Sequence, residues 1–149
     1  MDPAQLNLPD TSRPCVVIHE HSDALRAVLE QTLQDAGIVG TQGLRTAADV
    51  VPALATGGVD LLLLDLDAPD TDVFGLCRDI RRRYPRLGLL AMSTRSGADL
   101  LARCLDAGAD HLLSKPLSAG ELTAHVRRVL ERARAWDVQT AASGKRVQF

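Results

Sequence analysis

The feature that most constrains the fold is an unbroken aliphatic run, Leu61 to Leu64, that ends in the carboxylate of Asp65. Because these four residues do not alternate with polar ones, the strand that they form has both faces buried. Strands of this kind are typical of parallel sheets covered by helices. Asp65 is therefore predicted at the C-terminal tip of a central strand, where open parallel sheets bind ligands.

Three further apolar runs also end in a polar side chain. These are Glu20 after residues 15–18, Ser93 after residues 89–92, and Lys115 after residues 112–114. Because the carboxyl ends of parallel strands lie at one edge of a sheet, we expect an acid pair, a hydroxyl and a lysine to converge there. Such a group is suited to holding a phosphoryl group.

Strands and helices alternate along the chain. The predicted strands are 15–19, 38–41, 60–65, 87–92 and 111–114. The predicted helices begin at Ser22 or Asp23, Thr46, Asp72, Ala98 and Ser118, and the last extends as far as Trp136. The first helix is expected to bury Leu25, Val28, Leu29 and Leu33. Ser118 and Glu121 have the spacing of a capping box.

This alternation predicts an α/β fold, a doubly wound five-stranded parallel sheet with helices on both faces. Right-handed crossovers, together with analogy to flavodoxin-like proteins, favour the strand order 2-1-3-4-5. That order places Glu20 beside Asp65.

Composition limits the class of protein. The 149 residues suit one domain with a sizeable core, and the net charge of −2 argues against a surface that coats nucleic acid. No apolar run approaches the ~18 residues of a membrane span, and three scattered cysteines suit a reducing cytoplasm. We divide the chain into a flexible arm (1–14), one domain (15–136) and a tail or linker to a further effector domain (137–149).

A series of short motifs strengthens this interpretation. In order they are Leu62-Leu63-Leu64-Asp65, Pro69, Asp72, Ser93, Gly108-Ala109-Asp110 and Lys115-Pro116. Each is weak alone, but in this order and spacing they resemble the response-regulator receiver domain of bacterial two-component signalling. The resemblance runs from about Cys15 to Arg134 and implies a cis peptide bond before Pro116.

The resemblance implies a role for each residue at the sheet edge. Asp65 would accept a phosphoryl group from a histidine kinase, Ser93 would be the switch hydroxyl, and Lys115 would pair with the phosphate. Mg²⁺ would be held by Glu20, Asp65 and the backbone carbonyl of Asp67. A domain of this kind is a switch, so we do not expect an enzyme.

The chain departs from the family pattern at three positions. His21 occupies the place of the second acid, Leu112 replaces a switch aromatic, and Val73 replaces a frequent glycine. Imidazole is a poor Mg²⁺ ligand. The resemblance therefore implies an atypical receiver in which Mg²⁺ binding is weak or absent.

Other interpretations of these residues stay open. In the simplest interpretation, Asp65 is a strand-end acid that forms an ion pair with Lys115. His21 is either a surface replacement for an acid or, with His19, Glu20 and Asp65, part of a cluster that would take Zn²⁺ or Mn²⁺. Strand alternation turns His19 away from Glu20, which weakens the second interpretation.

The output of the domain has two interpretations. In the first, phosphorylation of Asp65 controls an output, which we expect to be transcription, with DNA bound through an effector domain. The segment 143–149 either resembles the start of the first strand of such a domain or is the end of a stand-alone receiver. In the second, the domain is a phosphorylation-independent dimerisation or interaction module. Leu101, Asp110, Glu121 and Arg132 form the expected homodimer face.

Overall fold

A computed structural model describes the backbone of residues 15–143 and the side chains of residues 15–133. The elements are β1 (Cys15–His19), α1 (Asp23–Asp35), β2 (Gly40–Leu44), a 3₁₀ turn (Ala47–Asp49), α2 (Val50–Ala55), β3 (Leu61–Asp65), α3 (Val73–Arg83), β4 (Gly88–Ser93), α4 (Ala98–Asp106), β5 (His111–Ser114) and α5 (Ala119–Ser143). The sheet is parallel throughout, in the order β2-β1-β3-β4-β5. The predicted fold and strand order are confirmed.

The central strands divide the core into two halves because their side chains alternate between the faces of the sheet. Leu62 and Leu64 face the half that contains buried residues of α2, α3 and α4. Leu61 and Leu63 face the half that contains buried residues of α1 and α5. All five residues of β3 are buried, as the aliphatic run predicts.

Side-chain caps fix where three helices begin. The Ser22 hydroxyl accepts a hydrogen bond from the Leu25 N–H at 3.2 Å, and Asp72 accepts one from the Gly75 N–H at 3.0 Å. Ser118 accepts from the Glu121 N–H at 3.1 Å, which is the serine half of the predicted capping box. These caps satisfy N–H groups that lack partners in the first helical turn.

The second strand was predicted in the wrong place. Residues 38–41 were expected, whereas β2 is Gly40–Leu44. Gly37 has a φ of +87°, and the Ile38 N–H donates to the Leu33 carbonyl at 2.8 Å, so Ile38 belongs to the closure of α1. The actual strand, Gly-Thr-Gln-Gly-Leu, lies at the sheet edge and lacks the apolar pattern that reveals a strand.

Three smaller expectations about the helices also differ from the structure. Val28 is 58% exposed and does not belong to the buried stripe of α1. Thr46 bonds to the Asp49 carboxylate at 2.6 Å and makes no backbone cap. The last helix continues past Trp136 to Ser143.

Arg81 at the end of α3 links three segments beside the sheet. Its guanidinium donates to the carbonyls of Gly108 at 2.8 Å, Leu87 at 2.6 Å and Pro85 at 3.0 Å. It also lies 3.4 Å from the Asp110 carboxylate. Arg81 therefore fixes the entries to β4 and β5, the strands that deliver Ser93 and Lys115.

Within residues 15–143, no helix has the length and apolar character needed to cross a membrane.

Candidate functional site: an acidic pocket at the carboxyl edge of the sheet

The strand ends bring together most of the residues predicted for the site. Glu20 follows β1, Asp65 ends β3, Ser93 ends β4 and Lys115 follows β5. The side chains of Glu20, Asp65 and Ser93 are buried even though all three are polar. Burying such groups is costly unless they are paired, so the partners of each determine what the pocket can do.

Lys115 is the positive charge at the centre of the pocket. Its Nζ lies 2.6 Å from Glu20 Oε1, 2.9 Å from Asp65 Oδ1 and 3.4 Å from Asp67 Oδ2. The contacts with Glu20 and Asp65 are both ion pairs, and the contact with Asp65 is also a hydrogen bond. The Lys115–Pro116 peptide bond is cis, as the family resemblance implied.

His21 lies on the other side of the two carboxylates. Its Nδ1 is in short contact with Asp65 Oδ2 and lies 3.1 Å from Glu20 Oε2. The imidazole is 42% exposed, whereas both carboxylates are fully buried. His21 is thus the outer wall of the pocket as well as a partner of Asp65.

Ser93 does not face Asp65 directly. Its hydroxyl donates to Asp67 Oδ1 at 2.9 Å, and the Thr94 N–H donates to Asp67 Oδ2 at 2.8 Å. Only a backbone role was expected for Asp67, and these two hydrogen bonds of its side chain were not predicted. A loop carboxylate two residues after a strand gives no periodic signal from which this contact could be predicted.

The backbone around Asp65 is also held by polar contacts. The Asp67 N–H donates to Asp65 Oδ1 at 2.9 Å, and the His21 N–H donates to Asp65 Oδ2 at 3.2 Å. The Asp65 N–H donates to Nδ1 of His19 at 3.3 Å, while Nε2 of this buried imidazole has no partner among the described residues. His19 therefore supports the strand end from the interior and is absent from the cluster of Glu20, His21 and Asp65.

The charges of the pocket follow from these contacts. Burial raises the pKa of Asp65, but hydrogen bonds from His21 and Lys115 outweigh it and hold the pKa well below its usual range. Burial raises the pKa of Glu20, and Lys115 opposes this only in part. Burial lowers the pKa of Lys115, but its bonds to Glu20 and Asp65 reverse the effect and raise it. Asp65 and Lys115 are therefore both ionised at neutral pH.

The residues expected at a dimer face lie on α4, β5 and α5. Asp110 already has partners within the chain, since Arg132 Nη2 lies 2.9 Å from its Oδ1 and the Leu89 N–H donates to its Oδ2 at 2.8 Å. Glu121 is exposed and Leu101 is partly buried. The neighbouring Leu100 and Cys104 are core residues and offer no exposed apolar contact to a partner.

The chain belongs to the response regulator receiver domain family, whose model matches residues 16–127. It is similar to the DNA-binding transcriptional regulator NtrC of Escherichia coli K12, with 32% identity over 118 residues that cover 79% of this chain and 25% of NtrC. It is also similar to the KDP operon transcriptional regulatory protein KdpE of the same organism, with 36% identity over 117 residues, 78% of this chain and 51% of KdpE. The chain thus spans between a quarter and a half of these relatives.

Solved structures give the same fold. The BeF3-activated receiver domain of DrrB matches with a TM-score of 0.72 and 22% identity, over 80% of this chain and 99% of that one. A CheY-like response regulator receiver domain protein from Methanospirillum hungatei JF-1 matches with a TM-score of 0.76 and 19% identity, over 83% of this chain and 98% of that one. At these identities the likeness concerns the fold alone. The fold therefore agrees with the family to which the chain belongs.

The candidate metal site of this receiver differs from the family pattern in its donor atoms. Receiver domains typically bind Mg²⁺ in an acidic pocket. Here the ligand atoms that Glu20, His21 and Asp65 offer lie within 4.8 Å of one another. Two carboxylates suit Mg²⁺, but the imidazole nitrogen does not, because Mg²⁺ requires oxygen ligands in a near-octahedral shell. The residues present do not fit Mg²⁺ well.

Proposed function

We propose that Asp65 accepts a phosphoryl group from a histidine kinase and that the domain switches an output in response. The observation that carries this proposal is a buried, ionised carboxylate at the tip of the central strand, with an ammonium 2.9 Å from one of its oxygens. A nucleophile of this kind must be deprotonated, and the lowered pKa of Asp65 keeps it so. Receiver domains as a family interact with histidine kinases.

Both carboxylate oxygens of Asp65 already have partners within the pocket. Oδ1 already accepts hydrogen bonds from Lys115 Nζ and the Asp67 N–H, both at 2.9 Å. Oδ2 contacts His21, whose exposed imidazole can turn outward. In the transfer, one carboxylate oxygen of Asp65 forms a bond to phosphorus while the P–N bond of the kinase phosphohistidine breaks. The departing imidazole keeps the electron pair and takes up a proton.

Lys115 and Ser93 would stabilise the product. Lys115 stays beside Asp65 and offsets the charge of the new phosphoryl oxygens, an electrostatic role typical of phosphoryl-transfer sites. Ser93 must first release Asp67, because its single hydroxyl proton is now donated to that carboxylate. Phosphorylation would thus break the contact between Ser93 and Asp67 and alter the loops that follow β3 and β4.

The proposed output is control of transcription in the cytoplasm. It is supported by the similarity to NtrC and KdpE, which are transcriptional regulators, and to AfsQ1 of Streptomyces coelicolor, a transcriptional regulatory protein 30% identical over 140 residues. On this proposal residues 1–14 are an arm, 15–136 the receiver, and 137–149 a linker to a DNA-binding effector. Residues 1–14 and 144–149 lie outside the described structure. The domain has no enzymatic activity of its own in this scheme.

Intact-mass spectrometry after treatment with acetyl phosphate tests the assignment of Asp65. The wild-type chain should gain one hydroxylamine-sensitive phosphoryl group, and Asp65→Asn should gain none. Asp70→Asn is the matched control, because Asp70 is an exposed loop carboxylate near the same strand end. A phosphoryl adduct of normal yield on Asp65→Asn would show that another residue is the acceptor.

A second candidate function is a phosphorylation-independent interaction module. The observation that favours it is the contact of His21 with Asp65, because His21 covers one of the two oxygens of the proposed phosphoacceptor carboxylate. Sedimentation velocity with and without acetyl phosphate separates the two functions. If acetyl phosphate changes self-association and Asp65→Asn abolishes that change, the phosphorylation switch is supported. If neither acetyl phosphate nor Asp65→Asn alters self-association, the interaction module is supported.

A further inference from the structure

Lys115 and His21 divide the four oxygens of the two buried carboxylates between them. Lys115 Nζ contacts Glu20 Oε1 and Asp65 Oδ1. His21 Nδ1 faces the other two oxygens, Glu20 Oε2 and Asp65 Oδ2. One nitrogen and two oxygens from three side chains therefore point at one small region on the outer side of the pocket.

The spacing of these atoms suits a metal ion of ordinary bond length. Two ligand atoms at ~2.1 Å from an ion and at right angles to each other are about 3.0 Å apart. Glu20 Oε2 and His21 Nδ1 are 3.1 Å apart. Asp65 Oδ2 lies closer to the imidazole than that, so His21 must move slightly outward to admit an ion, and its 42% exposure leaves room for this movement.

The surroundings of the three ligands favour a divalent cation. Glu20, Asp65 and Asp67 are three carboxylates around one ammonium, which leaves a formal charge of −2 when His21 is neutral. Both ligand carboxylates are oriented by a second layer of contacts. Lys115 holds one oxygen of each, the Ser22 N–H donates to Glu20 Oε2 at 3.1 Å, and the His21 N–H donates to Asp65 Oδ2. Such outer contacts set the position of metal ligands.

We propose that Glu20, His21 and Asp65 bind a first-row divalent transition ion of the Zn²⁺, Co²⁺ or Mn²⁺ class in preference to Mg²⁺. Imidazole with carboxylate is a ligand set that transition ions accept and that Mg²⁺ does not favour. The ion would complete its shell with water. This inference rests on the proposed function for its meaning in signalling. It deepens that function by proposing that the pocket around the phosphoacceptor binds a transition ion.

Titration calorimetry on the chelator-treated full chain, with no phosphoryl donor present, tests the proposal. Co²⁺ and Mg²⁺ are the probes. Wild type should bind Co²⁺ at least tenfold more tightly than Mg²⁺. His21→Gln should weaken Co²⁺ binding at least tenfold and change the visible absorption of bound Co²⁺. His21→Asp should raise Mg²⁺ affinity, so that the ratio of the Mg²⁺ dissociation constant to the Co²⁺ dissociation constant falls at least tenfold.

His125→Gln is the matched control, because His125 stacks on His111 and is not part of the cluster of Glu20, His21 and Asp65. Circular dichroism shows whether each variant is folded. Co²⁺ affinity and spectrum unchanged in His21→Gln, or a selectivity ratio unchanged in His21→Asp, would overturn the proposal. Because no phosphoryl donor is used, this experiment tests metal binding separately from phosphorylation of Asp65, and either proposal can be refuted without the other.

Discussion

Replacing Lys115 by methionine tests whether one ammonium holds the acidic pocket together. The Lys115 side chain is 8% exposed and is the cation closest to three carboxylates. Methionine is similar in length but uncharged, so the substitution removes the charge and keeps most of the volume. In the variant, Glu20 and Asp65 would remain buried beside each other without that counter-ion.

Two estimates set the expected loss of stability. At an effective dielectric constant of ~20, the 2.6 Å contact with Glu20 is worth about 6 kcal/mol before desolvation is subtracted. Removing one partner of a buried pair typically costs about 3–5 kcal/mol. Proton uptake by Glu20 limits that cost, since neutralising a glutamate of ordinary pKa at pH 7 costs about 4 kcal/mol. We therefore expect Lys115→Met to lower the free energy of unfolding by about 3–4 kcal/mol at pH 7.

The loss should depend on pH with a definite sign. Burial already raises the pKa of Glu20, and losing the ammonium raises it further. The folded variant then binds more protons than the unfolded chain does, so its stability rises as pH falls. Relative to wild type, the loss should shrink to about 1 kcal/mol at pH 5, near the ordinary pKa of glutamate.

Urea unfolding followed by circular dichroism, with chelator present, measures this loss at pH 7 and pH 5. Arg82→Met is the matched control, because it removes a cation paired with Asp79 on the surface, where the expected cost is about 0–1 kcal/mol. A loss for Lys115→Met as small as that of the control, or one that stays constant between pH 7 and pH 5, would refute the reasoning.

Three other measurements test the remaining structure. Leu101→Glu should weaken self-association about tenfold more than Glu121→Ala, because exposed ion pairs contribute little; a wild-type monomer at high micromolar concentration in sedimentation would contradict the proposed dimer face. Arg81→Ala should lower the free energy of unfolding in urea by about 2–3 kcal/mol, since the carbonyls of Gly108 and Leu87 lose a charged donor. A change within error would be inconsistent with Arg81 linking these segments. Leu63→Ala, at a buried residue, should lower the free energy of unfolding by about 2–5 kcal/mol, and Val28→Ala, at an exposed one, by less than about 0.5 kcal/mol. Equal losses would argue against the assigned core.

The parts of the fold that the sequence predicts are those with a strong local pattern. The run 61–64 has no polar interruption, so its burial on both faces could be expected from the residues alone. Ser22 and Asp72 stand at the positions where helices need an acceptor, and both cap as expected. Topological rules then bring Glu20, Asp65 and Lys115 to one edge without any knowledge of side-chain contacts.

The parts that the sequence does not predict depend on contacts between distant loops. The bond from Ser93 to Asp67 joins two strand ends, and no spacing in the chain indicates it. The residues of β2 were misplaced because Ile38 is apolar for a different reason, the closure of α1. The sequence shows that His21 departs from the family pattern, but it does not predict the short contact of His21 with Asp65.

The charge arrangement at the sheet edge also has a consequence for folding. Glu20 and Asp65 meet as soon as β1 pairs with β3, whereas Lys115 lies 50 residues beyond Asp65 and arrives only with β5. A partly folded chain without β5 would hold two adjacent carboxylates and no ammonium, so their repulsion raises the free energy of that intermediate. Docking of β5 removes the repulsion. We therefore expect the ion cluster to disfavour half-formed sheets and to make the folding of the first and last strands cooperative.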